Sequence, residues 1–229
     1  AADVSTRSKS LAILLAACAL LFFLNLGVPG LWDEYEPRNA TCAREMLQRG
    51  DLIVPTFNGE LRTAKPVLTY WLIMSAYSLF GISEFSARFW SALLGTGTVL
   101  LTATLGRRLY SRRVGLWSGL LLASGLMFVV ASRACTPDAP LIFCITAAMT
   151  VLGSAWGRPS HPSVSPPYPR ALDRQPSLST FSAVLFYVAL GFAVLAKGPV
   201  GVVLPVAILG SYLLCSSCGQ LYTPSVSLW

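Results

Sequence analysis

The 229-residue chain is 54% hydrophobic and only 12% charged, with a mean hydropathy of +0.62, which is too apolar for a water-soluble globular domain and suits an integral membrane protein. Its formal charge of +7 does not point to nucleic acid: the basic residues sit at the ends of apolar runs and form no continuous patch with interleaved aromatics, so the excess reads as membrane topology. The six cysteines give neither a disulfide framework nor paired zinc-knuckle spacing, and Cys215-Ser-Ser-Cys218 is a lone CxxC without a second pair.

The first apolar run, residues 11–28, follows Arg7 and Lys9 and is long enough to cross a bilayer. No A-x-A-like cleavage site follows it before the first acids, so it reads as a retained span running from the cytoplasm outwards. Residues 29–81 then form one large extracytoplasmic loop holding two short helices. The first covers 37–49, with Pro37 suited to the opening turn, Gly50 just past the end, and Ala40, Ala43, Met46 and Leu47 recurring at helical spacing as an apolar face.

The second, residues 67–80, is shorter than the ~20 residues a spanning helix needs. If it crossed, the Arg107, Arg108, Arg112 and Arg113 cluster would lie outside, against the positive-inside rule. It is therefore expected to lie flat at the lipid interface with Tyr70, Trp71, Tyr77 and Phe80 as its aromatic surface. Further spans are expected at 85–105, 114–131, 140–156, 178–196 and 200–214. The fold class that results is an all-α polytopic membrane protein, with about six transmembrane helices plus two extracytoplasmic juxtamembrane helices. One transmembrane module covers residues 1–215, interrupted by a disordered Pro/Ser-rich cytoplasmic loop at 157–177 and followed by an unstructured tail at 216–229. The single histidine, His161, falls in that loop and reads as solvated.

With topology set, Asp33, Glu34, Glu36, Lys65, Arg133, Asp138 and Lys197 all fall at or near the extracytoplasmic ends of spans or in the first loop. Ionisable groups at membrane depth are costly unless paired or functional, so their gathering on one side marks a candidate site. In "SRACTPDAPL" Asp138 also suits a helix cap and Arg133 a snorkelling position, and in "VLAKGPVGVVLP" Lys197 stands beside a helix break where it can bind phosphate as a point charge or snorkel. Carboxylates and lysines at a lipid interface suit transfer of a group from a phosphate-bearing lipid to a hydroxyl: a carboxylate removes the acceptor proton and cations stabilise the leaving phosphate. Asn39-Ala40-Thr41 matches a glycosylation sequon inside a predicted helix and reads as chance; Gly95-Thr96-Gly97, within a span, reads as close helix packing; Glu84 and Arg88, four apart, read first as a local ion pair.

The stretches "LWDEYEPRNATCAREMLQRGDLIVPTFNGELRTAKPVLTYWL", "GISEFSARFWSALLG", "SRACTPDAPL" and "LAKGPVGVVLP" resemble, in order, the N-terminal portion of the GT-C type glycosyltransferases that use lipid-linked sugars. The nearest resemblance is to bacterial aminoarabinose transferases of lipid A and protein O-mannosyltransferase-like proteins. It implies a polyprenyl-phosphate sugar donor, a lipid A, other glycan or protein hydroxyl as acceptor, inversion at the sugar carbon, and a site on the extracytoplasmic face of a bacterial inner membrane. The implied catalytic candidates are Asp33, Glu34, Glu36 and Asp138; the donor-phosphate candidates are Lys65, Arg133, Lys197 and Arg88. Lined up on Trp32, Glu36 and Arg38, the family's usual first acid falls on Tyr35, which leaves Asp33 or Glu34 to serve as base. Ala64 stands where the family often has an acid suited to a metal; no cofactor is assigned, and a divalent metal stays open. Two alternatives remain: a small-molecule transporter centred on Lys197 and the break after it, and a truncated, non-catalytic relative of the enzyme.

Overall fold

The computed structural model describes residues 2–155 and 179–221; the predicted loop at 157–177, with His161, and positions 222–229 of the predicted tail lie outside them. The protein is an all-α polytopic membrane protein. Its helices are α1 (Ala2–Cys18), α2 (Tyr35–Arg49), α3 (Leu68–Phe80), α4 (Glu84–Leu109), α5 (Arg112–Ser124), α6 (Leu126–Arg133), α7 (Asp138–Ala155), α8 (Thr180–Lys197) and α9 (Val200–Leu221). The helix of α1 widens into a π-helical turn, Ala19–Phe23, before the chain leaves the span. By length and apolarity α4 and α8 each qualify as spans on their own, and α5 with α6 qualifies as a bent pair.

Helix α4 is the centre of the bundle, and small residues let its neighbours approach closely, as is usual where lipid removes the hydrophobic drive between helices. A Cβ added at Gly95 would lie 2.4 Å from Ser132 Oγ, and one at Gly97 would lie 2.7 Å from the Phe143 ring. Gly95-Thr96-Gly97 is thus a packing surface for α6 and α7. On another side, Leu14, Cys18, Phe22 and Leu26 of the first span pack with Ala92 and Val99 of α4 and Ala123 of α5. Helices α8 and α9 form a hairpin reversed at Gly198-Pro199, and their outward residues, among them Phe181, Leu185, Val203 and Val206, stay exposed as expected of a lipid-facing surface. Helix α9 continues to Leu221, into the stretch expected to be an unstructured tail from 216.

Two expectations need correction. Residues 114–131 do not form one straight span: α5 ends at Ser124, Gly125 is extended (φ −63°, ψ 119°), and α6 leaves at 68° to α5. A Ser-Gly pair in an otherwise uniform apolar run is a recognised point of helix breakage. The consequence is that Arg133, at the end of α6, is carried back to the end of the first span.

Helix α3 does not present all four of its aromatics as one outward surface. Tyr70 and Tyr77 are buried with Ile73 and Met74 against Ala40, Cys42, Ala43 and Met46 of α2, while Trp71 and Phe80 keep outward positions. The apolar face of α2 supplied the partner, and packing against it takes both tyrosine rings out of water. Burial also pushes the Tyr70 hydroxyl up to about 12.

Candidate active site at the first loop

The first loop turns inwards at Asp33, which adopts a left-handed conformation (φ 73°), unusual for a residue other than glycine but tolerated by aspartate. The turn has two opposite effects: Trp32 is thrown outwards at 81% exposure, whereas Glu36, in the first turn of α2, is only 4% exposed. A carboxylate so deeply placed must be fully satisfied, and it is. Glu36 Oε1 accepts from Arg88 Nε at 2.9 Å and from the Cys135 amide at 2.7 Å; Oε2 accepts from Arg88 Nη2 at 2.7 Å and from the Trp32 amide at 2.9 Å.

The Arg88 guanidinium is equally consumed. Beyond its two bonds to Glu36 it donates to the carbonyls of Leu26 (3.1 Å), Pro29 (2.7 Å) and Gly30 (2.9 Å), so all five of its N–H groups have acceptors. Burial alone would raise the Glu36 pKa, but the Arg88 hydrogen bonds, the Cys135 and Trp32 amides and the Arg88 charge outweigh it and hold the carboxyl below 4.5. Asn39, one turn further along α2, donates to the Cys135 carbonyl at 3.0 Å; α2 therefore grips both the N–H and the C=O of one residue in the α6–α7 turn. Buried in this way, Asn39 is no glycan acceptor.

This geometry corrects three expectations. Glu36 has no lone pair left for an acceptor proton, so it is a poor base; Arg88 has no donor left for a phosphate; and Arg88 pairs with Glu36, 52 positions away, rather than with Glu84. The reason is placement: Arg88 is buried on the face of α4 that meets the end of the first span and the start of α2, where the free carbonyls lie.

The remaining charged candidates stay open. Beside the Glu36–Arg88 pair lies a cleft of about 300 Å³ between the first loop and α6, with Trp32, Asp33, Val129, Val130 and Arg133 in its walls. Asp33 is exposed, and among the described residues its hydrogen bond is to the next amide, Glu34 N to Asp33 Oδ1 at 2.7 Å. Arg133 donates through Nη1 to Leu21 O at 2.9 Å and Phe22 O at 3.4 Å, and through Nη2 to Asn25 O at 3.4 Å. It thereby covers the carbonyls freed at the π-helical end of the first span, with two of its five N–H groups still available. Glu34 pairs on the surface with Arg38, an exposed i, i+4 contact of small energetic weight.

A second charged centre is formed by Asp138 at the start of α7 and Lys197 at the end of α8. They are ion-paired, each side chain a little over one third exposed. Leu68 of α3 packs with Leu141 and Ala196, which draws the Lys65-Pro66 approach to α3 towards this pair. Lys65 itself stands over the Tyr35 ring, 5.6 Å from its centroid, a cation–π contact. Tyr35 thus meets a lysine through its ring face. Among the described residues no three His, Cys, Asp or Glu side chains converge.

The same loop also holds a small clasp that was not expected from the sequence. Thr56–Phe57 and Glu60–Leu61 pair as an antiparallel hairpin whose turn residues, Asn58 (φ 55°) and Gly59 (φ 81°), have the two positive φ angles of a type I′ turn. Glu45 of α2 accepts from Thr56 Oγ1 (2.6 Å) and from the Asn58 (2.7 Å) and Gly59 (3.3 Å) amides. The Asn-Gly pair in "TFNGEL" was a sufficient signal for it.

The family model for dolichyl-phosphate-mannose-protein mannosyltransferase matches residues 8–229. An uncharacterized protein of Aquifex aeolicus (strain VF5) is 33% identical over 207 residues, covering 90% of this chain and 38% of its own length. The undecaprenyl phosphate-alpha-4-amino-4-deoxy-L-arabinose arabinosyl transferase of Pseudomonas savastanoi pv. phaseolicola (strain 1448A / Race 6) is 36% identical over 124 residues, covering 54% of this chain and 23% of the transferase. Among solved structures, that of ArnT from Cupriavidus metallidurans bound to undecaprenyl phosphate superposes with a TM-score of 0.74 at 28% identity, over 89% of this chain and 35% of ArnT. The chain therefore spans well under half the length of these relatives.

Proposed function

We propose that this chain, which belongs to the dolichyl-phosphate-mannose-protein mannosyltransferase family of membrane glycosyltransferases, carries the donor-phosphate and base side of a transferase site facing away from the cytoplasm. The donor is a sugar on a polyprenyl phosphate, and the acceptor is a hydroxyl of an envelope molecule such as lipid A. The observation that carries the reading is the open Asp33 carboxylate in the cleft beside the closed Glu36–Arg88 pair: the loop is anchored by one acid and offers another.

In the step proposed, the acceptor hydroxyl attacks the anomeric carbon from the face opposite the phosphate. The carbon–phosphate oxygen bond breaks, polyprenyl phosphate leaves with the bonding pair, and Asp33 takes the hydroxyl proton. Inversion follows from a single displacement. Arg133, Lys65 and Lys197 supply positive charge for the leaving phosphate, and Asp138 holds Lys197 until a phosphate competes for it. Glu34 is the reserve base, displaced from the cleft by its pairing with Arg38.

The test is transfer from a labelled undecaprenyl-phosphate sugar to lipid A in reconstituted membranes, run beside binding of undecaprenyl phosphate. Asp33→Asn is expected to cut transfer by about 10²–10⁴-fold while binding stays within about twofold; undiminished transfer removes Asp33 from the mechanism. A second reading, a donor-binding relative without transfer, is favoured by Tyr35 holding Lys65 by its ring. Binding without transfer in the unmodified chain supports that reading.

A further inference from the structure

At the end of the bundle remote from the first loop, a second cleft of about 150 Å³ opens between α1, α4 and α5. It is lined by Leu11, Leu14, Leu100 and Leu116 together with Arg107 and Arg112. The backbones of α4 and α5 touch here, since a Cβ on Gly115 would lie 2.5 Å from Ala103 O and 2.9 Å from Arg107 Cβ. On α1, Leu11, which lines the cleft, and Lys9 are exposed.

The charge of these segments is mostly basic. Asp3 is the one acid in the sequence before Asp33 and none lies between Glu84 and Asp138, while the same segments carry Arg7, Lys9, Arg107, Arg108, Arg112 and Arg113. A slot lined by two arginines and four leucines is complementary to a phosphodiester that carries an acyl chain. Basic pockets between membrane helices on the cytoplasmic side recognise anionic lipid headgroups in this way.

We infer that this cleft binds an anionic glycerophospholipid of the cytoplasmic leaflet, its phosphate between Arg107 and Arg112 and the first part of one acyl chain along Leu11, Leu14, Leu100 and Leu116. Binding there ties α1 to the α4–α5 pair. The leaflet rests on the orientation proposed above; the binding itself does not.

The experiment is retention of phosphatidylglycerol against phosphatidylcholine by the purified chain in detergent, read by native mass spectrometry. The unmodified chain should keep phosphatidylglycerol selectively, and R107Q/R112Q should lower that retention roughly tenfold. R108Q/R113Q, which removes the same charge outside the cleft, should leave it within about twofold. Equal loss in both double variants overturns the site in favour of diffuse surface attraction, as does displacement of the lipid by soluble glycerol phosphate alone. Should R107Q/R112Q elute as aggregate, R107K/R112K takes its place: it keeps the point charge but loses the bidentate fork, and unchanged retention in it together with no selectivity in the unmodified chain overturns the proposal. Orientation is read separately, by labelling Tyr110→Cys in a C215S/C218S background from each side of sealed membranes. Outward labelling with selective retention contradicts the leaflet and leaves the site.

Discussion

Two of the ion pairs in the charged region around the first loop, Glu36–Arg88 and Asp138–Lys197, differ in every respect that decides what an ion pair can do. Glu36–Arg88 is buried, bidentate and closed, with both carboxylate oxygens and all five guanidinium N–H groups committed. Among the described residues Asp138–Lys197 is partly exposed and rests on a single contact, which leaves two ammonium hydrogens and most of the carboxylate lone pairs without a partner there. The difference separates architecture from chemistry among residues that look alike in the sequence. A closed pair cannot exchange a partner for substrate without leaving a buried charge behind, whereas an open pair can.

The comparison predicts effects of very different size. The largest follows from removing one member of the closed pair: Arg88→Met strands the Glu36 carboxylate and should cost about 3–5 kcal/mol, seen as loss of the monodisperse peak in size-exclusion chromatography and as protease sensitivity across α2. Asp33→Asn comes next, with its loss of transfer and retained fold. Lys197→Met should weaken undecaprenyl phosphate binding by about tenfold, the loss of one charge-assisted contact, with a change in stability of no more than about 1 kcal/mol. Equal destabilisation by Lys197→Met and Arg88→Met would erase the distinction.

The smallest effect is on pH dependence. The Glu36 pKa is depressed below 4.5 in the folded chain, so its contribution is present above the unfolded value and is lost as pH falls through the folded one. The melting temperature should therefore hold from neutral pH down to about pH 4.5 and fall below it. In Glu36→Gln that acid limb should flatten.

Most of the spans were legible because a bilayer demands long apolar runs and charges mark their ends. The break at Gly125 was not legible, since residues 114–131 are apolar on both sides of it and the run alone reads as continuous. The pose of α3 was hidden for a related reason: a helix apolar all round does not say which face is buried, and only the matching face of α2 settled it. In the site, the grouping of charges was visible but their division into closed and open was not. Arg88, a lone cation inside a span, had to be paired; nothing local distinguished Glu84, four positions away, from Glu36, 52 positions away. The Asn39 and Cys135 contacts carry no sequence signal, because one is a buried amide in a helix and the other is backbone. Tyr35 was legible as a departure from the family pattern, and the cation–π contact with Lys65 is what the departure became.

The most direct test of the division is to neutralise one acid of each pair isosterically and compare the two melting temperatures at neutral pH in the same detergent. Glu36→Gln should lower the midpoint by about 10 °C or more, and Asp138→Asn by no more than about 3 °C. Equal shifts for the two variants, or a larger shift for Asp138→Asn, would contradict the assignment of Glu36–Arg88 to structure and of the open carboxylates to chemistry.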